Sequence, residues 1–276
     1  MFAAAGFFSS APVQTALVIA GGAAVVSGAV GVFTIIRGST FAGHALADVS
    51  SAGGAAAFLF GLSPLLGFLG MAAVAAGAMG MAGERRAAER DLLTGIVLGA
   101  GLGVTALFLY FDVTSRSTTG AAISVMFGSM FAIPPGMAPL ALSIGAAALV
   151  VIGLIYRPLL LSSLDPGLAR VRGVPVRLVG GLYLLVLAFA VTLSAMTIGA
   201  ILSTALLIGP AAAALRLSRR PDFAILLAMA IGIFACFCGI WLAYDSYDWT
   251  LGHGWPVSFF IVTIIFVIYL LSGLAR

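Results

Sequence analysis

The chain of 276 residues is 62% hydrophobic and 8% charged, with a mean hydropathy of +1.22 and a formal net charge of +4. A soluble domain carries about a quarter of its residues as charges, so this chain cannot cover a water-facing surface, and a large soluble core is excluded. All 13 basic residues are arginine and fall in short connections, which argues against a nucleic-acid surface.

Apolar runs of about 20 residues, the length that crosses a bilayer, recur from end to end. They predict spans at 13–36, 41–62, 64–82, 91–111, 137–157, 177–196, 198–215, 223–244 and 256–273. The fair count is about eight to nine, because 178–215 divides in more than one way. The expected fold is all-α, a polytopic transmembrane helical bundle in which residues 1–276 form a single membrane domain.

The first span has no basic segment before it and reads as a retained span instead of a cleaved signal peptide. Within it, Ala24 and Gly28 are spaced to lie on one face. The second span holds Gly43-His44-Ala45-Leu46-Ala47-Asp48-Val49-Ser50. In the fourth, Gly95, Gly99 and Gly103 repeat every fourth residue, a row that predicts close approach of another helix backbone. The weaker stretch 117–135 ends in Ile133-Pro134-Pro135-Gly136 and reads as a half-helix or re-entrant piece, which is tolerated when buried in protein. Cys236 and Cys238 lie two apart in an apolar run, spaced for neither a metal finger nor a disulfide, and read as small core residues.

Arginines set the orientation. Arg37, the Glu84–Arg90 loop, Arg157, the Arg170–Arg177 loop, Arg216–Arg220 and Arg276 fall on one side of the nine-span arrangement and only Arg116 on the other. The positive-inside rule makes that side cytoplasmic. Asp112, Asp245, Asp248 and His253 then lie outside. Tyr244-Asp245-Ser246-Tyr247-Asp248-Trp249 with His253 could gather cations at an entrance, although an ordinary loop with interfacial aromatics fits the same residues.

Ionisable side chains inside a membrane are costly and each needs a reason. His44 and Asp48 are four apart, so both project from one helix face about one turn apart. Imidazole nitrogen and carboxylate oxygen are ligand types for zinc and other divalent transition metals, and the small residues around them leave room for a passing ion. Mutual hydrogen bonding or helix capping is the structural alternative. Two ligands cannot complete a tetrahedral site, so others would come from other spans, water or a symmetry mate, and a carrier's site is incomplete by need.

The chain has no lysine, so the phosphate-cradling GxxxxGK[ST] loop is absent and ATP could be hydrolysed only by a separate subunit. Asp165-Pro166 has the form of a helix N-cap followed by proline at the first position, and Gly173 that of a stop. These predict a short amphipathic helix in a cytoplasmic loop, either a connector or a docking element.

Here the residues carry a resemblance. Asp165-Pro166-x-x-Ala169-x-x-x-Gly173-Val174-Pro175 resembles the coupling loop of the zinc/manganese/iron-chelate permeases of ABC importers. Met126-Phe127-Gly128-Ser129 is similar to the family's LFGS-like segment. Gly199-Ala200-Ile201-Leu202 also matches, and Leu206-Leu207-Ile208-Gly209-Pro210-Ala211-Ala212 resembles its LLIxPAA signature. The family's second span usually reads G-D-x-L-S-H-A. Here His44 stands at the Asp position and Asp48 at the His position, which keeps both ligand types and reverses their order.

The resemblance implies a type II ABC-importer-like permease in the bacterial inner membrane, without catalysis or a permanently bound cofactor. Its cargo would be a divalent metal lining up with His44 and Asp48, zinc by the spelling of this variant and manganese second. It implies cytoplasmic ABC ATPase subunits docked on Asp165, Pro166, Ala169 and Gly173. An extracytoplasmic metal-binding protein and a homodimeric permease complete the expected assembly. A proton- or sodium-coupled secondary transporter, with the pair as a proton relay, is the rival class, and a non-transporting scaffold or sensor is the other.

Overall fold

A computed structural model of the chain describes residues 7–8, 10–81, 87–116, 120–128, 130–132, 135–249 and 254–274. Its helices in chain order are α1 (Ala11–Ile36), α2 (Thr40–Phe60), α3 (Pro64–Met81), α4 (Ala87–Arg116), α5 (Gly120–Phe127) and α6 (Ala138–Leu154). They continue with α7 (Tyr156–Leu164), α8 (Pro166–Val171), α9 (Val176–Ile198), α10 (Ala200–Leu217), α11 (Pro221–Trp249) and α12 (Val257–Leu274). There is no strand among the described residues.

Each expected span overlaps one of these helices. Seven are long and apolar enough to cross a membrane, or up to eight when α6 and α7 count as one span bent by 64°. The bend has a local cause. Pro158 lacks the N–H that would reach the Leu154 carbonyl, and its ring crowds that carbonyl, so α6 ends there. The remaining helix, α2, has 21 residues. It is long enough to span, but His44, Asp48, Ser50 and Ser51 make it too polar to face lipid. It lies against α3, α4, α9 and α10, and Asp48, Ser50 and Ser51 are buried. Its polar groups therefore meet protein partners in place of lipid.

Among the seven membrane-length apolar helices α1 is the most enclosed, its apolar window 72% buried against 22% for α4. Close backbone approach assembles this centre, as expected where lipid supplies no hydrophobic drive between helices. A Cβ on Gly28 would sit 2.7 Å from the Met229 nitrogen, and one on Gly31 1.9 Å from the Leu207 carbonyl oxygen. The Ala24/Gly28 face is thus a true seam against α11. The Gly95/Gly99/Gly103 row is not. A Cβ at Gly99 or Gly103 would meet nothing within 4 Å, and at Gly95 only the Phe41 ring at 4.0 Å. Its neighbours Ile96, Leu102 and Leu107 are exposed, so this side of α4 faces out of the chain. The seam glycine of α4 is Gly101, packed on Val49.

A reciprocal glycine crossing joins α2 and α3. A Cβ on Gly53 would lie 2.0 Å from the Gly67 carbonyl oxygen, and one on Gly67 2.2 Å from the Gly53 carbonyl oxygen. Backbone cannot yield as a flexible side chain does. Gly53→Ala is therefore expected to destabilise by about 1–3 kcal/mol. Gly77→Ala, whose Cβ meets nothing within 4 Å, leaves thermal unfolding in detergent unchanged. Equal melting temperatures for both variants would contradict this packing.

The ambiguous stretch 178–215 divides at Gly199. Its φ of +90° stops α9, and α10 begins at the next residue. Leu187 and Leu207 both pack at Gly43, so α9 and α10 lie side by side and the chain reverses at Gly199. A Cβ on Gly199 would meet the Met126 carbonyl oxygen at 2.2 Å, and one on Gly128, at φ +81°, the Thr197 carbonyl oxygen at 2.5 Å. Two separate stretches that carry the resemblance therefore interlock. Ser129 lies outside the described residues. Within the 117–135 stretch α5 has only eight residues, the length of a half-helix and one of the two forms expected there; 117–119, 129 and 133–134 lie outside the described residues.

At one end of the bundle, Arg37 meets Ser162 and Ser163, Tyr156 meets Asp222 and Arg216 meets Tyr269. The arginine-bearing connections after α1, α7 and α10 thus share one end, as the orientation argument requires. Residues 82–86 of the Glu84–Arg90 loop and Arg276 lie outside the described residues.

Candidate functional site

The four-residue spacing brings His44 Nε2 to 3.4 Å from Asp48 Oδ2 on one face of α2. The His44 side chain is 42% exposed and that of Asp48 10%, so the imidazole is the open member and the carboxylate the enclosed one. Packing gives the depth. Gly43, adjacent to His44, lies against Leu187, midway along α9, and against Leu207 of α10. The pair is inside the bundle and at neither end.

A third side chain holds the ring. His44 Nδ1 is 2.9 Å from Thr204 Oγ1 on α10. With Nε2 protonated toward the carboxylate, Nδ1 accepts from the Thr204 hydroxyl. An ion on Nε2 would displace that proton, and a proton on Nδ1 would then donate to the same hydroxyl, which serves either role. Below the pair, the Ser51 hydroxyl donates to the Asp48 carbonyl at 2.5 Å and lies 3.0 Å from Thr105 Oγ1. This contact ties α2 to α4 at the depth of the carboxylate. The structural alternative for the pair, mutual contact, is thus met, but the geometry leaves His44 accessible as well.

Thr204 was not legible from periodicity. Its only signal is a polar side chain in an apolar span, four residues past the Gly199–Ala200 break. Among the described residues no group of three or more His, Cys, Asp and Glu could hold a metal ion, so His44, Asp48 and the Thr204 hydroxyl make an incomplete donor set. Such a set suits transient passage better than storage.

The short helix after Asp165 forms as its residues require. The Asp165 carboxylate accepts from the Leu168 N–H at 2.9 Å, and Pro166 occupies the first turn of α8. Gly173, at φ +78°, donates to the Arg170 carbonyl, and Val174 donates to that of Ala169, closing the end in a Schellman turn. Ala169 is buried and seats the helix. Leu164, Leu168 and Val171 are left exposed at 70%, 43% and 86%.

The outer cluster is not assembled among the described residues. Asp245 is half-buried near the end of α11; Asp248 lies in the same helix, with its side chain outside the described set, as is His253. An open cavity of about 880 Å³ at that end is lined by Phe127, Tyr244, Tyr247 and Trp255 among others, and neither Asp245 nor the His44–Asp48 pair lines it. Cys236 is buried and Cys238 partly so, both as free thiols, in keeping with core residues.

The family model described as the ABC 3 transport family matches residues 10–274. The manganese transport system membrane protein MntC of Halalkalibacterium halodurans is 30% identical over 84% of this chain and 78% of its own. The manganese import system permease protein ScaB of Streptococcus parasanguinis is 29% identical over 84% of this chain and 81% of its own. Among solved structures, a chain of PsaBC from Streptococcus pneumoniae in complex with Fab superposes with a TM-score of 0.82 at 26% identity, covering 98% of this chain and 94% of that one.

Proposed function

The chain belongs to the ABC 3 transport family as the multi-pass membrane permease subunit of a bacterial metal importer whose ATPase is a separate subunit, and from that premise we propose its path and cargo. The whole chain acts as one permease domain. His44 and Asp48 line the route, and a divalent metal passes between them as substrate. Manganese is the favoured cargo, because relatives across this length are named for manganese transport. Zinc, expected from the motif spelling, is second.

The observation that carries this reading is the open imidazole beside an enclosed carboxylate, held by Thr204, at mid-depth of a bundle otherwise almost free of ionisable groups. A second copy of the chain facing the open side of His44 supplies further ligands. Two ATPase subunits bind the α8 segments, and an extracytoplasmic binding protein delivers the metal to the far mouth. Closure of the ATPases rocks the helices between outward and inward access.

Thr204 supplies the test closest to the geometry. In cells lacking other manganese and zinc importers, Thr204→Val should raise the KM for uptake about tenfold or more, because the ring loses its orienting partner. Thr204→Ser keeps the hydroxyl and stays near wild type. A Thr204→Val protein with unchanged KM for both metals would contradict the site.

A further inference from the structure

We propose that Arg37 is a positioning residue that couples the ATPase-docking segment to the path helix, an inference that rests on the permease reading above. Arg37 caps the end of α1. Its Nη1 donates to both Ser162 Oγ and Ser163 Oγ, each at 3.2 Å, in the last turn of α7. Only Leu164 separates these serines from Asp165, the cap of the docking helix. On its other side the guanidinium lies over the Tyr183 ring, 5.1 Å from the centroid, with Gly180 leaving room for it on α9.

Tyr183 carries the connection onward. Its hydroxyl, wholly buried, donates to Thr34 Oγ1 at 3.0 Å and lies 2.8 Å from Ser39 Oγ. Thr34 in turn donates to the Val30 carbonyl. Ser39 is the residue before α2, and His44 follows little more than one turn later. The link between α1 and α2 is short and fixed. Gly38, at φ +63°, donates to the Ile35 carbonyl and Ser39 to that of Thr34, the same Schellman closure that ends α8. A displacement of the docking segment therefore has a contiguous route to the start of the helix that carries the pair, through charge-assisted hydrogen bonds to Arg37, its cation–π contact with Tyr183 and the Tyr183–Ser39 hydroxyl contact.

The chemistry explains why arginine stands here. A planar guanidinium can fork between two hydroxyls while stacking on an aromatic ring; an ammonium is a point charge that cannot do both. The serines lie on α7 and Tyr183 on α9, so the guanidinium joins both helices to the end of α1 through one side chain, beside the hydroxyl contacts that Tyr183 itself makes with Thr34 and Ser39. Coupling of this kind is a free energy shared by two sites, and mutations along it change the coupling without touching either ligand.

The experiment uses the purified permease–ATPase complex. Hydrogen exchange is measured over 39–48 and 164–174, with and without ATP plus vanadate, and ATP hydrolysis and manganese uptake are measured in proteoliposomes with the binding protein. In wild type, nucleotide changes exchange in both segments. In Arg37→Gln the change persists over 164–174 and is lost over 39–48, ATP hydrolysis stays within about twofold, and metal moved per ATP falls about tenfold. Ser162→Ala with Ser163→Ala, which leaves Arg37 and Tyr183 in place, gives the same split more weakly. It serves as the decisive variant if Arg37→Gln does not assemble. Arg37→Lys recovers only part of the yield. A purely structural role would lower expression and melting temperature while leaving metal per ATP unchanged in the assembled fraction. The proposal is overturned if the nucleotide-dependent change over 39–48 survives in both variants. Should the wild type show that change yet take up no metal, the cargo assignment fails and the coupling assignment stands.

Discussion

Uptake by cells carrying His44→Ala together with Asp48→Ala is expected to fall on the order of 100-fold at limiting metal, since losing an outer partner of a metal ligand alone costs 10–100-fold. The double variant removes the ion's imidazole and carboxylate at one depth. It also leaves no buried charge behind, because both ionisable groups go together, so folding should be retained. Single variants differ. Asp48→Ala leaves His44 accessible, with its Thr204 contact intact. His44→Ala strands a side chain that is only 10% exposed without its partner, and a buried carboxylate alone is expensive. His44→Ala should therefore lower stability as well as transport, and the ratio of uptake to membrane-inserted protein separates the two. Normal uptake by the double variant at normal expression would remove the pair from the path.

Replacing Leu164 and Leu168 by Glu should abolish co-purification of the ATPase and, with it, all transport. These side chains are 70% and 43% exposed, next to Val171 at 86%, in a connection that the arginine pattern assigns to the cytoplasm. Apolar side chains grouped on a water-facing surface mark a protein contact. Burying a new carboxylate in that contact without a partner costs several kcal/mol, enough to break a complex of ordinary affinity. Two further variants separate contact from shape. Asp165→Ala removes the N-cap, at about 1 kcal/mol, and should weaken docking without ending it. A bulky residue at Ala169, which is fully buried, unseats α8 itself. An undiminished ATPase signal with the Leu164→Glu, Leu168→Glu double variant would move the docking site elsewhere.

Much of the bundle was legible because lipid imposes simple rules. Length and apolarity marked each long helix, and local cap chemistry marked α8 down to its first and last residues. The departures have physical reasons. Helix α2 was placed correctly, yet it is too polar to be an independent span, because its neighbours satisfy its hydroxyls. The Gly95/Gly99/Gly103 row followed helical spacing, but spacing says which residues share a face and not what that face meets. Gly101, on the other side, is where Val49 sits. At the site, the His44–Asp48 register was fixed by the helix period. Thr204 was invisible, since it arrives from another helix folded back at Gly199. In sequence Arg37 shows only an orientation charge, because its contacts are with Ser162, Ser163 and Tyr183, more than 120 residues away. Local chemistry survives translation from sequence; partners brought by tertiary folding do not.

The most direct measurement is radiolabelled manganese and zinc uptake into proteoliposomes that hold the permease, its ATPase and the binding protein, with ATP supplied on the ATPase side. Uptake that requires ATP, ignores an uncoupler and disappears in the His44→Ala, Asp48→Ala variant is the predicted result, with manganese transported in preference to zinc. Uptake that persists without the ATPase and collapses when the proton gradient is discharged would contradict it and return the pair to a proton relay.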